Sequence, residues 1–66
     1  MQLLINGETK EFPNIRFVRE LLREIGLANR PAAVERNGTV IPHKSFDTAE
    51  LADGDSLEIV TLVGGG

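Results

Sequence analysis

A chain of 66 residues has room for one small domain, and such a domain buries only about 60% of the surface its unfolded chain exposes. It has no Cys and 1 His, which excludes disulfides, thiolate metal sites, iron–sulfur clusters, cysteine nucleophiles and multi-histidine metal centres. Its 41% hydrophobic and 26% charged residues are a globular composition, and a net charge of −3 argues against nucleic acid or an anionic membrane as the main partner.

Met1 to Ile5 is a short apolar run without a preceding basic segment. It is far too short for a signal peptide or a membrane span, so a soluble cytoplasmic protein is the expectation. The initial Met and the absence of a tag suggest native ends. Asn6-Gly7 closes the run, and both central residues of a type I′ turn need positive φ, which Asn and Gly tolerate. Residues 8–12 then return as a weak polar strand, ended by Pro13.

Residues 14–25 carry Phe17, Val18, Leu21, Leu22 and Ile25 at spacings of one, three and four. That stripe predicts an amphipathic helix with Asn14 as its N-cap. Gly26 stands where a left-handed C-cap residue belongs, and Leu27 can fold back onto Leu22. Asn29-Arg30-Pro31 reads as loop. Ala32 to Arg36, a second Asn-Gly at 37–38, and Thr39-Val40-Ile41 read as another hairpin, stopped by Pro42. His43 to Leu51 has no clean period and predicts an irregular connection with one helical turn. Asp53-Gly54-Asp55 is a polar turn, Ser56 to Val63 is a long β-rich run, and Gly64, Gly65 and Gly66 follow.

The order hairpin, helix, hairpin, strand predicts an α+β domain: a four- or five-stranded sheet with one helix on one face. Alternation along strands puts Met1, Leu3, Ile5, Val34, Leu57, Ile59, Thr61 and Val63 toward the helix. It leaves Leu4, Val60 and Leu62 outward among Gln2, Ala33, Glu35 and Glu58. An apolar patch with a polar rim commonly marks an interaction surface, although scattered exposed apolar side chains are ordinary.

Catalytic side chains are scarce. His43 has only Ser45 and Ser56 as candidate hydroxyl nucleophiles and reads as an exposed loop residue. Asp53 and Asp55 around a Gly read as turn formers rather than metal ligands. Arg16, Arg19 and Arg23 make a row that is either a solvated face or a dock for an acidic partner. No phosphate-binding loop is present. The remaining reactive group is the Gly66 α-carboxylate, an anion at neutral pH that can attack the α-phosphate of ATP to give an acyl adenylate. Three glycines have no Cβ, turn freely and reach roughly 10 Å, which suits a terminus entering a narrow active site. Against this stands an inert frayed tail.

Three stretches together carry a family resemblance: Val34-Glu35-Arg36-Asn37-Gly38-Thr39-Val40-Ile41-Pro42, Leu51-Ala52-Asp53-Gly54-Asp55-Ser56-Leu57-Glu58-Ile59-Val60, and Val63-Gly64-Gly65-Gly66. In their order and spacing the chain resembles the β-grasp sulfur carriers of the ThiS/MoaD superfamily, and most closely the ThiS type of thiamin biosynthesis. The resemblance implies a ubiquitin-like β-grasp over residues 1–63, with the first and last strands parallel neighbours in the sheet, and a projecting tail at 64–66. It implies a protein cosubstrate rather than an enzyme, with no bound cofactor. An E1-like, ThiF-like adenylyltransferase would activate Gly66 with ATP and magnesium. A cysteine-desulfurase persulfide would then give sulfur for a thiocarboxylate, and a ThiG-like thiazole synthase would receive it. Gly64, Gly65 and Gly66 would enter the partners' active sites, while Leu4, Glu58, Val60 and Leu62 would dock.

The chain departs from its relatives in three places. They usually carry Thr before the Val-x-x-Leu-Leu helix, where Phe17 stands, which favours a start moved back to Asn14. Many also have Arg at the position of His43, and Trp or another aromatic near Phe46. The alternatives are a molybdopterin-synthase small-subunit-like carrier, a ubiquitin-like protein modifier, and a plain β-grasp interaction module.

Overall fold

The computed structural model describes residues 1–62. In chain order it contains β1 (Gln2–Ile5), β2 (Glu8–Glu11), α1 (Val18–Glu24), β3 (Ala32–Arg36), β4 (Thr39–Ile41), a 3₁₀ turn (His43–Ser45) and β5 (Ser56–Thr61). The two Asn-Gly pairs make the two hairpins. Asn6 and Gly7 have φ of 50° and 85°, and Asn37 and Gly38 have 50° and 86°. Each pair is the whole loop, since Ile5 lies opposite Glu8 and Arg36 opposite Thr39.

The helix starts later than its sequence predicts. Asn14 is not its cap: α1 begins at Val18, behind Phe17 in an extended conformation (φ −113°, ψ 157°). The reason lies three residues into the helix. The Glu20 carboxylate accepts the N–H groups of Arg16 (2.7 Å) and Phe17 (2.9 Å), the backbone-satisfying half of a capping box. Residues 16–18 are pinned elsewhere, because the Val18 N–H donates to Ala49 O and the Leu51 N–H to Arg16 O. At the other end Gly26 has φ 86°. The Leu27 N–H donates to Leu22 O (2.7 Å) and the Gly26 N–H to Arg23 O (3.1 Å), the paired bonds of a Schellman ending.

The sheet order is β2-β1-β5-β3-β4, mixed, with β5 at its centre. β1 and β5 are parallel, and β3 is antiparallel to β5. Leu3, Ile5, Val34, Leu57 and Ile59 meet Val18, Leu21 and Leu22 of α1 in one core, which Phe12, Ile41, Phe46 and Leu51 close at its margins. Thr61, predicted to face inward, is exposed; the buried face of β5 ends at Ile59. β5 itself stops at Thr61, short of the predicted strand end, and Val63 lies outside the described residues.

Candidate functional site

β5 is the strand that leads to the glycines, and it is held from both sides. β1 pairs with it only at Leu4–Ser56 and Ile5–Leu57 before the chain turns. The Asn6 side chain then continues that ladder. Its Nδ2 donates to Ile59 O (3.1 Å), its Oδ1 accepts the Ile59 N–H (2.8 Å), and its own N–H donates to Leu57 O (2.9 Å). Asn37 does the same at the start of the strand. Its N–H donates to Ser56 O (2.8 Å), and its Oδ1 accepts the Ser56 N–H (2.9 Å). The residues that form the two turns thus also fix the central strand in register. The last described rung joins the Leu62 N–H to Pro31 O at 2.9 Å. Gly64, Gly65 and Gly66, the predicted tail, lie outside the described residues.

One face of the sheet carries α1 and the opposite face is uncovered. Leu4, Val60 and Leu62 are exposed, the last two at 60% and 53%, and Glu58 beside them is exposed as well. The structure therefore puts all four predicted docking residues on the open side. It adds Val40, exposed at 65% and opposite Glu35. That residue was missed, although a two-residue Asn-Gly loop already dictates the 35–40 pairing. A shallow depression on the same side is lined by Gln2, Leu4 and Thr9 with Leu3 and Gly54.

The other polar candidates have structural work. The Asp53 carboxylate accepts the Gln2 N–H (2.6 Å), and Asp55 accepts the Ala52 N–H (2.9 Å) and an Asn37 amide proton (3.2 Å). Both acids build the turn into β5. His43 is exposed, with its ring centroid 5.0 Å from that of Phe46. Arg16 pairs with Glu50 (2.9 Å) above the Phe17 ring, and Arg19 pairs with Asp47 (2.8 Å) above the Phe46 ring. Two of the three arginines in the helix row are thus internally paired. The Arg19 hydrogen bond, joined by nearby positive charge, holds the Asp47 carboxyl below the usual carboxylate range. The Phe17 and Arg16 N–H groups do the same for Glu20, with the Arg23 and Arg16 charges adding. Among the described residues no group of three or more His, Asp or Glu is placed to hold a metal ion, and no helix is long and apolar enough to cross a membrane.

Comparison with known proteins bears on the same strand and tail. Residues 3–66 match the ThiS family model. The chain is 41% identical over 65 residues to the sulfur carrier protein ThiS of Bacillus subtilis, covering 97% of this chain and 98% of that one. It is also 46% identical over 66 residues to a thiazole synthase of Paramagnetospirillum magneticum, of which it spans only 20% of the length. The crystal structure of a thiamine biosynthesis protein (ThiS) from Geobacter metallireducens superposes with a TM-score of 0.83 at 33% identity, covering all of both chains. The five-stranded β-grasp sheet and the single helix are thus matched in fold, the sequence match runs on to residue 66, and the chain belongs to the ThiS family.

Proposed function

We propose that this chain is a cytoplasmic sulfur carrier for thiazole formation in thiamin biosynthesis, with Gly66 as the residue that bears the sulfur. In this reading it is a cosubstrate with no bound cofactor of its own. An E1-like adenylyltransferase uses ATP and magnesium. The Gly66 carboxylate attacks the α-phosphorus of ATP and pyrophosphate leaves. A persulfide sulfur supplied by a cysteine desulfurase displaces AMP from the acyl carbon. A reducing thiol then frees the thiocarboxylate, which a ThiG-like thiazole synthase consumes.

One observation carries the reading: the chain ends in Gly64-Gly65-Gly66, beginning three residues after the last residue of the central strand, and it aligns along nearly its whole length with the Bacillus sulfur carrier. The segment of the Paramagnetospirillum thiazole synthase that is 46% identical to this chain supports a link between carrier and synthase. The geometry suits such a role. β5 is anchored by β1, β3, Asn6 and Asn37, so a tail leaving it starts from a fixed point. The open sheet face with Leu4, Glu58, Val60 and Leu62 lies along the same strand and its neighbour, where a partner receiving the tail can rest. We place residues 1–63 in the domain and assign 64–66 to the tail.

Pyrophosphate exchange tests the adenylation step. The full chain should support ATP–pyrophosphate exchange by the adenylyltransferase, and removal of Gly66 should abolish it with the fold unchanged. Exchange that survives the deletion would exclude Gly66 as the activated group. Lysine-linked glycine remnants on cellular proteins would point to a modifier instead. Co-purification with a large molybdopterin-synthase subunit would point to the other carrier pathway.

A further inference from the structure

Among the described residues, the charged strand side chains on the open sheet face are all acidic, and of these Glu11 pairs with the Met1 ammonium at 3.6 Å. The register puts Glu11 beside Gln2, and Glu35 beside Glu58, on the side away from α1. The basic residues of the strands fall on the other side: Lys10 lies opposite buried Leu3, and Arg36 opposite buried Leu57. Arg36 is further drawn away by its hydrogen bond to Glu50 O. Glu35 and Glu58 are direct neighbours across the β3–β5 ladder. The Asn37 N–H bond to Ser56 O and the Leu62 N–H bond to Pro31 O fix the phase of that ladder. Glu35 and Glu58 therefore form a hydrogen-bonded pair, with Cα atoms about 5.5 Å apart. Both are exposed, and among the described residues neither makes an ion pair.

Like charges directly opposite across a ladder destabilise a sheet. Here they stand at the edge of the apolar patch, with the polar Asn37 and Ser56 on their other side. Val60 and Ala33 make the next pair on the same face, and Val40 flanks Glu35 on β4. We propose that the Glu35–Glu58 pair is a recognition element that receives an arginine or lysine from a protein partner whose docking surface is apolar with basic groups at the matching position. Charge complementarity selects that partner. The pair offers four carboxylate oxygens to one cation, and removing the mutual repulsion adds to the attraction. A guanidinium, planar and forked, fits two neighbouring carboxylates better than an ammonium does. The acidic face also draws such a partner from a distance, so association depends on salt. The proposal rests on the carrier reading only for the choice of partner enzymes in its test.

The test uses the full chain with the adenylyltransferase and thiazole synthase of the same cell. Association rates are measured by stopped flow at low and high salt, for wild type and for the double variant Glu35→Gln/Glu58→Gln. The control is Glu8→Gln/Glu24→Gln, which changes net charge equally but away from the face. Rates for the Glu35/Glu58 variant should fall about tenfold at low salt with at least one enzyme, with a flatter salt dependence, while its melting temperature rises. The control should associate like wild type. Unchanged rates in the Glu35/Glu58 variant, or an equal fall in the control, would overturn the proposal while leaving the carrier reading intact. Wild type that associates with neither enzyme would overturn both. A homodimer in sedimentation that the Glu35/Glu58 substitutions abolish would overturn it in favour of a second copy of this chain.

Discussion

On the side of the sheet that α1 covers, Leu3, Val34 and Leu57 are at most 1% exposed. The charges around that side answer one another: Arg16 with Glu50, Arg19 with Asp47, Glu20 with two backbone N–H groups. On the other side Val40, Val60 and Leu62 are more than half exposed, and Glu35 sits opposite Glu58 with no ion-pair partner among the described residues. The same five strands supply both surfaces, so propensity does not separate them. The covered side is arranged to hold the domain together. The open side keeps groups that lower the stability of the isolated chain, which is the pattern of a surface completed by another molecule.

Substitutions in one strand can break this contrast. Leu57 and Val60 are three residues apart in β5 and point to opposite sides. Leu57→Ala should cost about 2–5 kcal/mol in denaturant unfolding, because it opens a cavity in the core. Val60→Ala should stay within about 0.5 kcal/mol, as exposed substitutions generally do. Equal losses at the two sites would erase the distinction between the faces. Val60→Asp reverses the test. Calorimetry should record binding to the adenylyltransferase weakened at least tenfold, about 1.4 kcal/mol, while circular dichroism keeps the folded spectrum. Unchanged affinity would remove Val60 from the docking surface.

Asn6 sharpens the account of how β5 is held. Asn6→Asp keeps the side-chain size and tolerates the left-handed turn, but loses the amide proton given to Ile59 O. The expected loss is about 1 kcal/mol in denaturant unfolding, while the Ile59 N–H keeps its side-chain acceptor. An unchanged unfolding free energy would mean that the strand is fixed by its ladders alone. The smallest expected effect is on the covered side. Glu20 and Asp47 have carboxyls held below their ordinary values in the folded chain. Protonation therefore favours the unfolded state. Their contribution is complete above the ordinary carboxylate range and disappears as pH falls through and below about 4. Urea midpoints should fall between pH 7 and pH 3, and Glu20→Gln/Asp47→Asn should fall less over the same interval. An identical fall would assign the acid sensitivity to other carboxylates.

Much of this was legible from local chemistry. Asn-Gly pairs state a turn type, and the turn type fixes the register of each hairpin; the register and alternation then place Leu4, Glu58, Val60 and Leu62 on the open side. Gly26 and Leu27 spelled the helix end. The helix start was not legible, because the stripe from Phe17 to Ile25 says nothing about which backbone groups are claimed elsewhere. Bonds from Val18 to Ala49 and from Leu51 to Arg16 hold residues 16–18 against a segment far along the chain. The reach of Asn6 to Ile59 was hidden for the same reason: the partners are 53 residues apart. The pairing of Arg16 and Arg19 with Glu50 and Asp47 also depends on where the loop after β4 returns. Gly64, Gly65 and Gly66 are read from the sequence and the family alone.

The central claim is that Gly66 bears sulfur, and intact-mass spectrometry tests it most directly. The full chain is incubated with its adenylyltransferase, ATP, magnesium and a persulfide donor. The account predicts a mass increase equal to one sulfur replacing one oxygen, located by fragmentation at Gly66 and absent when ATP is withheld. A chain whose mass stays unchanged with active partner enzymes, or whose sulfur is found on any other residue, would contradict it.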